Sequence, residues 1–437
     1  MGDMHDITGE ELRERAILVG VALPGAAWSM DSTLAELERL ADTAGADTVA
    51  VVTQRLDAPT PRTYIGSGKV RELESLVNEL EADLVIFDEE LTPTQQGNLE
   101  KALPKHVKVI DRTALILDIF ALHATTREGR LQVRLAQNQY LLPRLKGMWA
   151  HLASNHMGGG VGSRFGEGES QLEVDRRIVR KRIFATKEEL EHLQQVRATQ
   201  RDVRYSSGIF KVALAGYTNA GKSSLLNRLT DADVLSYDKL FATLDSTTRR
   251  FELAGGREIT LTDTVGFIQK LPTTLIEAFK STLDEVRGAD LILHVVDASS
   301  PDRAAQMKAV EETLAQIGAD GVRRLTVFNK CDLCEPEALE ALKADVAEAG
   351  TDAVFVSALT GVGIDGEDGL TARIAEIAKE ADAALHVVIP YGRGDLVSLA
   401  HERCHIVAEE YTEAGVAMTL VAPDALASVF AAFAVQS

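Results

Sequence analysis

Cysteine is scarce in this chain, aromatic residues are few, and long apolar runs are missing. Three cysteines (Cys331, Cys334 and Cys404) among 437 residues are too few for a disulfide framework, which points to a reducing compartment. No stretch approaches about 18 uncharged apolar residues, so no transmembrane helix is predicted. The first residues, MGDMHDITGEELRER, are acidic and polar and lack the basic and apolar regions of a secretory signal. A cytoplasmic protein is the expectation, with room for peripheral attachment to a membrane. Basic charge is also in short supply: 46 Lys and Arg face 66 Asp and Glu, a net charge of −20. An average of that sign argues against non-specific attraction to nucleic acid or anionic lipid. Cys331 and Cys334 form a lone C-x-x-C without further zinc ligands nearby, and read as part of a loop.

What is present is the composition of an ordinary globular protein, 45% hydrophobic and 26% charged. The length exceeds one hydrophobic core and predicts several domains. Residues 1–122 alternate apolar runs with helical patterns: a helix over Leu34–Ala41, strands at Thr48–Thr53, Leu84–Phe87 and Val107–Ile110, and helices over Val70–Glu81 and Pro93–Leu103. Such alternation predicts a parallel sheet covered on both faces. The fold class is therefore α/β. Residues 123–205 read as a helical hairpin, with Leu131, Leu135, Leu141, Leu142 and Leu145 on one helical face. Leu172, Ile178, Val179, Ile183, Leu190, Leu193 and Val196 do the same on a second helix beginning near Gln171. The stretch from Met157 to Gly168 is a glycine-rich tip between them. Residues 206–380 return to strand–helix alternation and form a mostly parallel P-loop domain. Residues 381–437 form a small α/β domain with strands at Leu385–Ile389 and Val416–Val421 and a helix over Gly394–Glu409.

The hairpin reverses the charge of the chain. Between Arg127 and Arg182 there are eleven Lys and Arg against five Asp and Glu. A polyanion would meet this region and be repelled elsewhere, which favours one docking orientation. Arg164, Arg176, Arg177 and Arg180 are the candidate RNA contacts; the alternative is that helical i,i+4 pairs and solvent absorb the charge.

Chemistry concentrates in residues 216–358. Gly216-Tyr217-Thr218-Asn219-Ala220-Gly221-Lys222-Ser223 follows the apolar run KVALA and precedes a helical start at Ser224, the context of a phosphate-binding loop. Its glycines let backbone N–H groups curl around phosphate at a helix N-terminus. Lys222 would reach the β- and γ-phosphates, and the Ser223 hydroxyl would ligate Mg²⁺. Asp263-Thr264-Val265-Gly266 ends the run ITLTDT; Asp263 would hold Mg²⁺ through water, and the Gly266 amide would sense the γ-phosphate. Asn329-Lys330-Cys331-Asp332 follows LTVF. The Asp332 carboxylate can accept from N1–H and the 2-amino group of guanine, a donor pair that adenine lacks. Ser357-Ala358 would back guanine O6. Four motifs in this order predict a GTP/GDP site, with Lys222 and Gly266 among the catalytic groups.

Order and spacing resemble the TRAFAC-class GTPases, and further residues resemble the HflX family. Phe241-Ala242-Thr243-Leu244-Asp245 is similar to that family's FATLD switch, which implies that these five residues contact nucleotide and that Thr243 ligates Mg²⁺ and closes on the γ-phosphate. Thr63–Lys69, Val109–Thr113, Leu117–Phe120, Glu128–Val133 and Gln171–Arg177 resemble other family segments. The resemblance implies binding to rRNA of the large (50S) ribosomal subunit, in ribosome splitting or rescue, by a monomer. It departs at the tip, where GSRFGEGESQLE is longer than the family's GTRGPGETQLE and lacks its proline. Phe267 stands where many small GTPases carry a water-positioning Gln; the resemblance implies slow hydrolysis alone and stimulation by a partner or a cation. Asn219 is similar to an asparagine that binds K⁺ in relatives. Gln269 is a weaker substitute for the missing Gln, and Arg249 and Arg250 read as solvent-facing residues at a strand start. Gly66-Ser67-Gly68-Lys69 lacks the rest of a phosphate-loop pattern and reads as a glycine turn opening a helix, with a nucleotide or RNA contact as the alternative. Two rival functions are a P-loop metabolic kinase, against which the Asn-Lys-x-Asp motif speaks, and a GTPase subunit of an RNA-modifying complex.

Overall fold

The computed structural model describes residues 13–145, 167–205, 209–230, 240–241, 246–254, 256–270, 272, 275, 280–381, 383–422 and 424–434. The chain divides into two compact units. The first comprises residues 1–190 with 237–245 and 268–280; the second comprises the remainder.

In the first unit, strands β1 (Glu14–Ala22), β2 (Ala46–Arg55), β3 (Leu84–Phe87) and β4 (Lys108–Asp111) form a parallel sheet of order β2-β1-β3-β4. β1 has no clear signature in the sequence because, after Glu14 and Arg15, its run AILVGVA is continuously apolar and shows neither helical nor alternating periodicity. That composition suits an inner strand: Ala16, Ile17, Leu18 and Val19 are all but fully buried. Helices α1 (Met30–Thr43), α2 (Ser67–Glu79), α3 (Pro93–Ala102) and α4 (Arg112–His123) connect the strands and follow them. Each start has a local cause. Ser29 caps α1 by accepting from Ser32 N, and Asp111 caps α4 by accepting from Ala114 N. Thr92 and Gln95 form a reciprocal capping box on α3, with Pro93 in its first turn. α2 starts immediately after Gly66, so the Gly-Ser-Gly-Lys stretch is a helix start. A cavity of about 1100 Å³ lies beyond the carboxyl ends of β1 to β3, lined in part by Leu23, Trp28, Arg55 and Asp88.

The same unit holds a buried charge cluster. Arg112, 2% exposed, reaches Glu36 Oε1 at 2.7 Å, Asp88 Oδ1 at 2.5 Å and the Thr33 carbonyl at 3.0 Å. Such a cluster survives burial only because every charge finds a partner. Burial alone would push the Asp88 carboxyl up; Arg112 and Lys270 outweigh it and hold it below the usual carboxylate range.

Helices α5 (Arg127–Arg144) and α6 (Glu167–Tyr205) form the expected helical region. α6 begins at Glu167, so the end of the anticipated glycine-rich tip is helical; the rest of that tip, with Arg164, lies outside the described residues. The anticipated apolar face of α6 is only partly covered. Val179 and Leu190 are buried, Ile183 is half-buried and Ile178 is 41% exposed.

The second unit is built on a six-stranded sheet of order β10-β9-β8-β5-β7-β6. Its strands are β5 (Phe210–Gly216), β6 (Thr247–Leu253), β7 (Arg257–Asp263), β8 (Leu291–Asp297), β9 (Arg324–Asn329) and β10 (Ala353–Phe355). All pair in parallel except edge strand β6. Helices α7 (Lys222–Thr230), α8 (Lys280–Arg287), α9 (Arg303–Gln316), α10 (Pro336–Glu348) and α11 (Leu370–Glu380) complete this domain.

The last segment has an antiparallel sheet of order β11-β13-β12, with β11 (Ala383–Ile389), β12 (His405–Thr412) and β13 (Gly415–Ala422). The helix expected to reach Glu409 stops at Arg403 as α12 (Gly394–Arg403), and the following residues form β12. The β-prone residues Ile406, Val407 and Tyr411 there favour a strand paired to β13 over another helical turn. A final helix, α13 (Asp424–Ala431), was not anticipated. Its Leu426 and Phe430 join Val387, Ile389, Met418 and Leu420 in a separate core.

Candidate nucleotide-binding site

The carboxyl ends of parallel strands are where ligands meet an open α/β sheet, and β5 leads there between β7 and β8. Its last residue, Gly216, passes so close to β8 that an added Cβ would lie 2.2 Å from the Val295 carbonyl oxygen. Only glycine fits. The loop then turns through Asn219 (φ 60°) and Gly221 (φ 93°) into α7. Lys222 Nζ donates to the carbonyls of Gly216 (3.1 Å) and Tyr217 (3.0 Å). Burial pushes the Lys222 ammonium down to about 8, with Asp263 acting against that shift. A phosphate replacing those carbonyls would favour the charged form further. Tyr217, Thr218 and Ala220 are buried, and Ser224 is half-buried in the first turn of α7.

Asp263 ends β7 fully buried, and one of its carboxylate oxygens accepts from the Ser223 hydroxyl at 2.6 Å. A hydroxyl and a carboxylate meeting this closely form an all-oxygen donor set suited to Mg²⁺. Thr264 ties the strand end back to β5 by donating to the Leu214 carbonyl at 2.7 Å. Beyond Val265, Gly266 lies hard against the phosphate loop: a Cβ there would come 2.9 Å from Thr218 Cα and 3.0 Å from Lys222 Nζ. Phe267 continues the pairing, its N–H donating to the Gly216 carbonyl (3.1 Å) and its carbonyl accepting from Thr218 N–H (2.7 Å). Its side chain is 1% exposed, as expected of a residue that does not orient water by hydrogen bonding.

Two of the motif segments are joined by Asn329. Its Nδ2 donates to the Ala220 carbonyl and its Oδ1 accepts from Ala358 N–H, each at 2.9 Å. One buried side chain thus fastens the phosphate loop to the Ser357–Ala358 turn, a role that the motif alone did not disclose. Lys330 adopts a left-handed backbone (φ 63°) and pairs with Asp297 at 2.8 Å. Asp332 follows in a short 3-10 turn with its side chain exposed, open to a base. Cys331 donates to the Phe328 carbonyl, and burial first of all pushes its thiol up to about 11. Among the described residues no cluster of three or more His, Cys, Asp or Glu suits a metal.

Several of the residues singled out by motif therefore gather on neighbouring strand ends of one sheet, while others lie elsewhere. Phe241 belongs to the first unit, 3% exposed, with its ring 4.6 Å from that of Phe120 at 81°. Ala242, Thr243, Leu244 and Asp245 lie outside the described residues. Gln269 is buried in the first unit and donates to Ser32 Oγ at 3.1 Å. Arg249 and Arg250 are exposed, and Arg250 pairs with Glu258 on the adjoining strand at 2.9 Å. On α6, Arg176 is half-buried while Arg177 and Arg180 are exposed. His294, buried on β8 and held down to about 4 by burial, belongs to no motif and carries no signal in the sequence.

A phosphate loop, a magnesium-compatible oxygen pair and a guanine-type turn on one mostly parallel sheet define a P-loop GTPase. Residues 211–330 match the family described as "50S ribosome-binding GTPase", residues 31–121 "GTP-binding GTPase N-terminal" and residues 123–204 "GTP-binding GTPase Middle Region". A GTPase HflX from Caldanaerobacter subterraneus subsp. tengcongensis is 46% identical, covering 93% of this chain and 90% of the relative. Another, from Lacrimispora saccharolytica, is 44% identical, covering 95% of each. The chain belongs to the HflX family of GTPases. A GTP-binding protein from Sulfolobus solfataricus, solved with GDP, aligns with a TM-score of 0.44 at 24% identity over 84% of this chain and 99% of its own.

Proposed function

We propose that this GTP-hydrolysing protein is a switch that binds the large ribosomal subunit and acts in splitting or rescuing ribosomes. The observation that carries this reading is the charge reversal on the hairpin. Arg177, Arg180, Lys181 and Arg182 are exposed on α6 in a chain whose net charge is −20. The printed description of the matching family, a 50S ribosome-binding GTPase, points the same way. Arg164, Arg176, Arg177 and Arg180 are the proposed rRNA contacts. The partners are GTP/GDP and the 50S subunit, and the protein acts as a monomer in the cytoplasm.

In the proposed site, Gly216 to Ser224 cradle the phosphates, Asp332 reads guanine, and Ser357 and Ala358 support its O6. Ser223 and Thr243 would hold Mg²⁺ directly and Asp263 through water, and the metal would supply charge neutralisation at the phosphates. Asn219 is the proposed K⁺ contact. Hydrolysis is slow in the isolated protein because Phe267, inward and apolar, contributes no hydrogen bond to a water. Turnover is measured with and without purified 50S subunits, for the wild type, Lys222→Ala and a variant with Arg176, Arg177 and Arg180 changed to Gln. Stimulation by 50S that the Gln variant loses is the expected result. Absence of stimulation, with normal co-sedimentation of the Gln variant, refutes the ribosomal reading.

A further inference from the structure

The guanine motif is held from two sides. On one, Cys331 N–H donates to the Val356 carbonyl at 3.2 Å, which sets the motif beside the Ser357–Ala358 turn. On the other, Asp297 ends β8 opposite Asn329, and Ala298 N–H donates to the Asn329 carbonyl at 2.9 Å. Lys330 reaches toward this second side, its Nζ 2.8 Å from Asp297 Oδ2, and both side chains are half-buried. The carboxylate does not follow the lysine about. Its other oxygen accepts from Ser299 N–H at 3.0 Å and from the Ser299 hydroxyl at 2.6 Å, so a local turn aims Oδ2 in one direction. The backbone at Lys330 is left-handed, φ 63° and ψ 33°. A residue with a Cβ adopts that conformation at a cost and keeps it where its surroundings over-determine it. Here the hydrogen bonds of residues 329 and 331 and the ion pair of the side chain itself supply those constraints.

We propose that Asp297 is a positioning residue for the base: it draws out the Lys330 side chain so that its methylenes wall the guanine slot on the side opposite the Ser357–Ala358 turn. A flat purine face packs well on an apolar stem and poorly on a hydrated ammonium, and the carboxylate keeps the ammonium clear of the slot. With the ion pair broken, the stem samples several rotamers and the base loses a fixed wall. The effect belongs to the base and not to the phosphates, so GDP and GTP are held more weakly by the same factor. This inference rests on guanine-nucleotide binding by the chain and is independent of the ribosomal reading.

The test uses the full-length protein without ribosomes, with equilibrium affinities for GDP and for an imido-linked, non-hydrolysable GTP analogue. Asp297→Asn keeps an oxygen for Ser299 but turns an amide donor toward the ammonium, and is expected to weaken both nucleotides about fivefold. Ser299→Ala frees the carboxylate without removing its charge, and acts in the same direction by about twofold. In a Lys330→Met background, which keeps a stem and removes the charge, Asp297→Asn changes affinity by less than about twofold, because its partner is already gone. An Asp297 that served only its own turn would cost the same in both backgrounds. Wild-type affinity in Asp297→Asn or in Ser299→Ala overturns the proposal. So does a loss confined to one of the two nucleotides, or one undiminished in the Lys330→Met background.

Discussion

Changing Asn329 to Asp replaces one heavy atom, nitrogen by oxygen, and asks whether the bond to Ala220 holds the phosphate loop in its binding form. Aspartate keeps an oxygen for Ala358 N–H but loses the donor to the Ala220 carbonyl, which is buried at 2.9 Å from Nδ2. A carboxylate oxygen then faces a carbonyl oxygen. In the free variant the loop can relax and offer that carbonyl to water; binding a nucleotide closes the loop and buries it again. The cost of an unsatisfied buried acceptor, about 1–3 kcal/mol, therefore reappears in each binding event. At about 1.4 kcal/mol per tenfold, GDP affinity falls between about fivefold and about 150-fold. Titration with a fluorescent GDP derivative measures this, and thermal unfolding in parallel reports the fold. Affinity within about twofold of wild type, with a lowered Tm, would refute the reasoning. Asn329 would then stabilise the domain without shaping the loop.

Asp332→Asn should lower GTP affinity by about tenfold or more, because one charge-assisted hydrogen bond is lost to a donor that faces the 2-amino group and the other becomes neutral; competition with a xanthine nucleotide, whose 2-oxo group suits asparagine, should show a gain. His294 gives a pH dependence. It is held down to about 4 from 6.5, by burial first and then by Arg324 and Lys222, so the unfolded chain binds its proton more tightly. Its contribution is complete above about pH 6.5 and lost as pH falls toward 4, about 3 kcal/mol in all. Urea unfolding at pH 7 and pH 4.5 should show a smaller acid loss for His294→Asn than for wild type.

The strands of the GTPase domain and its motif order were legible because each motif carries its own chemistry next to a continuous apolar run. The phosphate loop after KVALA and the Asp after ITLT needed no tertiary information. β1 was not legible, since buried parallel strands lose the alternation that marks a half-exposed one. β12 reads as helix for a related reason: only its pairing with β13 decides between helix and strand for HIVAEEYT. In the site, Asp332 could be read from donor and acceptor counts. Asn329's second task, the burial of Phe241 on Phe120 and the attachment of Lys270 to Asp88 could not, because they join residues 29, 121 and 182 positions apart. Pairings of that kind leave no trace in local periodicity.

The phosphate loop has its lysine folded back onto two of its own carbonyls. Those two hydrogen bonds order the loop during folding, so less of the later binding energy goes into organising it. Protein stripped of nucleotide should accordingly resist proteolytic nicking between Gly216 and Ser223.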